Sequence, residues 1–135
     1  MRDFLSLAHS ISRLSGGAFL SVGSAIMAPM TFEKSLSMAR NLARQEGRRI
    51  DDFSIVVNDI QPGAWDWTKG EPPKDNPAYY LRFCKSFSRM GGEFRYACED
   101  NRAFLLNLFA RLVRERPAGF PHRESERGAP GPSPA

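Results

Sequence analysis

Two stretches of alternating apolar and polar residues, separated by a glycine pair, constrain the fold of this chain more than any other feature. In residues 79–87 and 94–98, apolar side chains recur at every second position. Such alternation is typical of β-strands with one covered face. Gly91 and Gly92 between them can adopt the positive φ angles that a tight turn needs. The pattern therefore predicts a β-hairpin whose register is set by parity.

An amphipathic helix is predicted directly after the hairpin. Asp100 or Asn101 can cap its first turn, because either side chain can accept a hydrogen bond from a free backbone N–H. Pro117 ends the helix, since proline lacks the N–H that a further turn would need. This helix pattern is the most apolar in the chain, so we expect it to cover the inner face of the sheet. Apolar residues recur at helical spacing at Leu105, Leu108, Phe109 and Leu112.

Two further elements are predicted upstream of the hairpin. Residues 31–47 show helical spacing of apolar residues, with Thr31 as a suitable N-cap and Gly47 just past the end. Residues 53–58 are rich in β-branched side chains, which favour a short strand. The predicted order is helix, strand, strand, strand, helix. It indicates an α+β fold, a two-layer sandwich in which two helices cover one face of a three-stranded antiparallel sheet.

A chain of 135 residues has room for one domain. We expect that domain to span residues 31–116. Residues 1–30 are interpreted as a leader with one short helix. They fit a targeting peptide, a helix packed on the core or, as we favour, a stretch upstream of a natural start at Met27 or Met30. Residues 117–135 are predicted to be a disordered tail, because they cannot bury enough apolar surface to offset the entropy of ordering.

The sequence offers little catalytic or metal-binding chemistry. His9 and His122 are its two histidines, and neither neighbours a cysteine or carboxylate at metal-ligand spacing. Cys84 and Cys98 fall on opposite faces of the predicted hairpin, which excludes a disulfide between them. Known phosphate-loop, dinucleotide and nucleophile-elbow motifs are missing from the sequence. We therefore expect a protein that is not an enzyme and binds no metal or cofactor. Two free thiols favour the cytoplasm, and no stretch has the length of a membrane span.

The long connection at residues 59–77 carries the leading functional hypothesis. Four prolines and two glycines interrupt regular structure there, and long loops in small domains are often functional. Trp65, Asp66 and Trp67 are its most distinctive feature, because tryptophans carry much of the binding energy of protein interfaces. If the backbone is extended, at most one tryptophan points inward. The hypothesis is a protein-interaction module that binds another protein through these three residues.

Nucleic-acid binding is the alternative hypothesis. The formal net charge is +4, and basic surfaces attract nucleic acids. On the outer face of the predicted hairpin, Tyr80, Arg82 and Arg95 would form an aromatic and cationic stacking platform. Arg40 and Arg44 would align along the first helix as a ridge facing phosphates. An ordinary solvated surface explains the same charges, and the pattern leaves the oligomeric state open.

Overall fold

The computed structural model describes residues 2–115, which form four helices and one three-stranded parallel sheet. Helices and strands alternate along the chain, as in α/β domains. A helix lies within each connection between neighbouring strands, because parallel strands cannot be joined by a tight turn. The strands are β1 (Gly17–Val22), β2 (Phe53–Asp59) and β3 (Glu93–Cys98), and the helices are α1 (Arg2–Ile11), α2 (Met27–Gln45), α3 (Arg82–Ser88) and α4 (Asn101–Arg114).

The middle strand of the sheet is β2, which pairs in parallel with β1 on one side and β3 on the other. The register places Phe19 beside Ile55 and Ile55 beside Phe94. Because side chains alternate along a strand, this row and the rows of the same parity define one face, which we call the inner face. Leu20 and Val56 belong to the opposite, outer face.

The hydrophobic core lies between the inner face and the helices α2 and α3. Phe32 of α2 stacks on Phe19 with 4.1 Å between ring centroids, and it lies 5.9 Å from the ring of Phe87 in α3. Helix α1 packs against α2. Ile11 at its end and Leu14 just beyond it are both buried in the core. Residues near the N-terminus therefore contribute to the same core as the sheet.

The mixture of helices with one three-stranded sheet is confirmed, but the predicted antiparallel arrangement is wrong. Residues 79–87 contain no strand: they end a short 3₁₀ helix, Pro77–Tyr80, and continue into α3. The buried residues of α3 are Phe83, Cys84 and Phe87, which follow helical spacing. A strand would have placed Cys84 on the face opposite Phe83 and Phe87, but all three side chains are buried together. The glycine pair has positive φ as expected, but it joins α3 to β3 within a parallel crossover.

The more local predictions hold better. The helix expected at 31–47 overlaps α2, and the strand expected at 53–58 is β2. Because α2 begins at Met27, Thr31 is not its N-cap but lies inside the helix, where its hydroxyl donates to the carbonyl of Met27. Asp100 caps α4 by accepting hydrogen bonds from the backbone N–H groups of Arg102 and Ala103. Both cysteines are free, as expected.

Two further features of the predicted fold are corrected. The prediction had no strand before residue 31, whereas β1 is a full edge strand of the sheet. The last helix was expected to cover the inner face, but α4 begins beside the end of β2 and buries none of its residues fully. Helices α2 and α3 already occupy the inner face, and α4 begins on the outer side of the sheet, where Asn101 contacts Asn58. The tail predicted at 117–135 lies outside the described residues.

Candidate functional site

The carboxyl ends of all three strands meet at one edge of the sheet, which we call the carboxyl edge. In open α/β sheets, ligands bind in the crevice outside this edge, between the loops that leave the strands. The loops concerned here are residues 23–26 after β1, 60–66 after β2, and 99–100 after β3. Because the strands are parallel, side chains at the ends of neighbouring strands lie close together. In an antiparallel sheet they would lie at opposite ends of the strands.

Asp59, the last residue of β2, carries the clearest chemical signal at the carboxyl edge. Its side chain is largely buried, with 7% of the residue exposed. Oδ1 accepts a hydrogen bond of 3.2 Å from the backbone N–H of Gln61. Among the described residues, no lysine, arginine or histidine forms an ion pair with it. Buried carboxylates are normally paired or bound to a ligand, so Asp59 is a strong acceptor for an incoming donor.

Three other ionisable side chains surround this carboxylate. Burial, and secondly the negative charge of Asp59, raises the pKa of the Cys84 thiol. Burial also raises the pKa of the Tyr96 hydroxyl, with further contributions from Cys84, Cys98 and Asp59. At neutral pH, Cys84 is therefore a thiol and a poor nucleophile. Side chains with shifted pKa values that cluster in a cleft are typical of functional sites.

A groove of about 520 Å³ opens at this edge, which we call the Trp65 groove. Its volume lies within the range of about 300–1,000 Å³ that is usual for small-molecule sites. The half-buried Trp65 forms part of its wall, and the indole Nε1–H donates a hydrogen bond of 2.9 Å to the carbonyl of Gly70. This bond fixes the ring and leaves its face for contact. The lining residues are Pro62, Gly63, Ala64, Trp65, Tyr96 and Cys98.

A polar junction ties the strand ends together on the outer side of the sheet. The fully buried Asn58 donates hydrogen bonds to the carbonyl of Glu99 at 3.1 Å and to Oδ1 of Asn101 at 2.8 Å. The N–H of Gly23 donates to the carbonyl of Asn58 at 2.9 Å. The junction thus holds the ends of β1 and β2 against the start of α4.

Among residues 2–115, two buried polar atoms next to this edge have no hydrogen-bond partner. They are Oγ of Ser21, in the same inner row as Tyr96, and Oδ1 of Asn58. Within the described part of the chain, the third such atom is Nε1 of Trp67. Buried polar groups without a hydrogen-bond partner are uncommon in folded proteins. Two of them near the strand ends therefore support the binding of a polar ligand in this region.

The three residues predicted to bind a protein partner have different roles. Trp67 is buried, and its ring meets that of Phe94 edge-on at 5.5 Å. Asp66 caps the 3₁₀ turn Trp67–Lys69: its side chain accepts hydrogen bonds from the backbone N–H and the hydroxyl of Thr68. Only Trp65 lines the groove. Trp67 is buried and Trp65 is half-buried, which agrees with the expectation that at most one of the two tryptophans points inward.

The predicted stacking platform is not assembled. Tyr80 lies at the end of the 3₁₀ helix and Arg82 is the first residue of α3, whereas Arg95 belongs to the outer face of β3. Arg95 also forms an ion pair with Glu93. The structure therefore brings none of the three together on one sheet face.

Arg40 and Arg44 lie near the amino-terminal ends of the strands, opposite the carboxyl edge. The Arg40 guanidinium donates hydrogen bonds to the carbonyls of Ile50 at 3.0 Å and Met90 at 2.8 Å, which is a structural role. Both arginines line a cavity of about 400 Å³. It is formed by Arg40, Arg44, Gly47, Arg48, Arg49, Ile50 and Asp51.

Neither Tyr96 nor the junction formed by Asn58 and Asn101 was predicted from the sequence as part of a site, and Asp59 was expected in the long connection at residues 59–77. A signal was present: a polar Asn58-Asp59 pair directly after a β-branched run is typical of the carboxyl end of a buried parallel strand. It became useful only once the strand direction was known.

Within residues 2–115, no cluster of three or more histidine, cysteine or carboxylate side chains is arranged to hold a metal ion. None of the described helices combines the length and hydropathy needed to cross a bilayer. No protein-family model matches the chain, and no curated protein or solved structure shows significant similarity to it.

Proposed function

We propose that the protein binds a small ligand at the carboxyl edge, with a planar group against Trp65 and hydroxyl or amino groups directed to Asp59. The observation that carries this proposal is the buried carboxylate at the end of the middle strand, without an ion-pair partner in residues 2–115. It lies close enough to Tyr96 to affect the pKa of that hydroxyl, and Tyr96 lines the Trp65 groove. The site thus combines one strong acceptor with an aromatic wall.

Ribose-containing compounds are the first ligand class to test. Three consecutive parallel strands in spatial order β1, β2, β3 correspond to one half of a doubly wound nucleotide-binding sheet. In such sheets, an acidic residue near the end of the second strand binds the ribose hydroxyls, and Asp59 holds the comparable place here. This support is a fold-level analogy. The glycine-rich fingerprint is reduced to Gly23 at the turn, followed by Ala25 and Ala28, so a nucleoside is favoured over a dinucleotide.

Calorimetric titration with adenosine, AMP and NAD tests the proposal. We expect saturable binding of at least one compound to the wild-type chain. Asp59→Asn and Trp65→Ala should each weaken it at least about tenfold, which corresponds to about 1.4 kcal/mol. Tyr80→Ala is the matched control, because Tyr80 is an exposed aromatic residue outside the groove. Circular dichroism verifies that each variant is folded. Equal binding by Trp65→Ala, or no binding of any probe to the wild type, would refute the proposal.

Protein interaction is the second candidate function, and the exposed side of α4 is the observation that favours it. Large apolar side chains of one helix remain in contact with solvent: Leu105, Leu106, Phe109, Leu112 and Val113. Such a patch is typical of a protein-binding surface. Binding of another protein therefore stays a proposal. The exposed side chains of α4 are better placed to contact that protein than Trp67, which is buried. Capture of the same protein by wild type and by Phe109→Glu would contradict this assignment.

Nucleic-acid binding, the absence of catalysis and a cytoplasmic location stay predictions. Nucleic-acid binding loses the support of a shared sheet face, because Tyr80 and Arg82 are not on a strand. A nuclease treatment during affinity purification separates it from protein binding, and a steep loss of affinity with added salt would support it.

A further inference from the structure

β1 is an edge strand of the sheet, and its unpaired side is suited to pairing with a further strand. β1 consists of six residues, Gly17–Val22, and contains neither a charge nor a proline. One side pairs with β2, and no strand among residues 2–115 pairs with the other. An uncharged edge of this kind leaves backbone N–H and C=O groups open to pairing.

The other edge of the sheet is protected. β3 carries Glu93 and Arg95, and the 3₁₀ turn Trp67–Lys69 packs against it. Charges on an edge strand and covering segments are the usual means of preventing edge-to-edge association. The difference between the two edges singles out β1.

We propose that two copies of the chain associate by antiparallel pairing of β1 with β1, which gives a continuous six-stranded sheet. A two-fold axis at Leu20 places Leu20 opposite its own copy and Ala18 opposite Val22. These residues all belong to the outer face, so parity is preserved across the new pair. Cross-strand contacts would then be apolar throughout this row, and no charge opposes its like.

The occupant is a second copy because the strand matches itself and the two-fold axis closes the assembly. A standard interface buries about 800 Å² on each partner, more than a six-residue strand provides. Apolar surface is available on the same side of the sheet: Leu20 is 45% exposed, and α4 begins on the outer side, where Asn101 contacts Asn58.

Sedimentation equilibrium of the full chain tests this inference. The wild type is expected to be a dimer. Leu20→Lys and Leu20→Glu should each be monomeric because like charges meet at the axis, and an equal mixture of the two should restore a dimer. Leu42→Lys, on the exposed side of α2, is the matched control and should remain dimeric. A monomeric wild type overturns the proposal, as does a dimer that survives Leu20→Lys.

A cross-linking variant keeps the test decisive if the charged variants do not fold. Leu20→Cys combined with Cys98→Ser, which removes the other exposed thiol, should form a disulfide-linked dimer under mild oxidation. The required Cβ separation of about 4 Å is met only when the two Leu20 positions face each other. A monomeric product would overturn the pairing.

Discussion

Asn58 and Asn101 lie side by side where β2 ends and α4 begins, and the Asn58 amide donates a hydrogen bond of 2.8 Å to Oδ1 of Asn101. The pair links the middle strand to the only helix that begins on the outer side among the described elements. A second bond from the same amide reaches the carbonyl of Glu99. One fully buried side chain therefore holds the start of α4 against the end of β2.

Replacing Asn58 by alanine should destabilise the protein. The substitution removes both hydrogen bonds that this fully buried amide donates, and a bond of this kind contributes about 0.5–1.5 kcal/mol. We expect the free energy of unfolding, measured with urea, to fall by about 2 kcal/mol or more. Asn107→Ala on the exposed side of α4 is the control, with a change within about 0.5 kcal/mol. Equal stability of both variants would contradict this role for Asn58.

Gly23 should tolerate no side chain. Its φ of +66° is unfavourable for other residues, and a Cβ there would lie 2.6 Å from Nδ2 of Asn101. Gly47 has a similar φ of +69°, but open space surrounds it. Gly47→Ala should therefore cost only the conformational term, about 1–2 kcal/mol, and Gly23→Ala should cost more. Urea unfolding compares the two variants. An equal loss in the free energy of unfolding would show that the junction accommodates an added methyl group without strain.

Stability should decline at alkaline pH. Burial raises the pKa of Cys84 above its ordinary value of 9.0 and that of Tyr96 above its ordinary value of 10.0. The unfolded chain therefore loses these protons at lower pH than the folded chain. The stabilisation is present below pH 9 and is lost as the pH rises further. In Cys84→Val, the decline in the urea midpoint should begin nearer pH 10. An unchanged profile would contradict the burial of this thiol.

Removal of residues 1–26 should unfold the protein. The deletion takes away β1 together with the core residues Ile11 and Leu14. It also exposes Phe32 and Phe87, which contact Phe19 of β1. We expect loss of the cooperative thermal transition seen by circular dichroism in the full chain. A shortened chain that unfolds cooperatively with unchanged stability would instead support a natural start at Met27.

The fold could be predicted from the sequence only where local interactions decide it. Asp100 caps α4 through its own neighbours, and the β-branched run of β2 suits a pleated, covered strand. The alternation in residues 79–87 is too short to separate a strand from a helix of seven residues, and packing against the inner face favours the helix. β1 has few β-branched residues, so its identity as a strand depends on its pairing with β2.

The candidate site was missed for a related reason. Trp65 stands out by composition, and it does line the groove. Asp59 and Cys98 come together only because β2 and β3 run in the same direction. In the expected antiparallel sheet, the ends of these strands would lie at opposite edges, and Asp59 would be one of several loop carboxylates.

Ligand contact at the carboxyl edge is tested most directly by amide chemical-shift changes on titration with adenosine, AMP and NAD in turn. We expect at least one of them to cause saturable shifts concentrated in residues 59–65 and 96–98, and to leave the loops at the amino-terminal ends of the strands unaffected. The same shifts should disappear in Asp59→Asn. Shifts concentrated around Arg44 and Arg48, or no saturable change at any residue, would contradict the assignment of the site to the carboxyl edge.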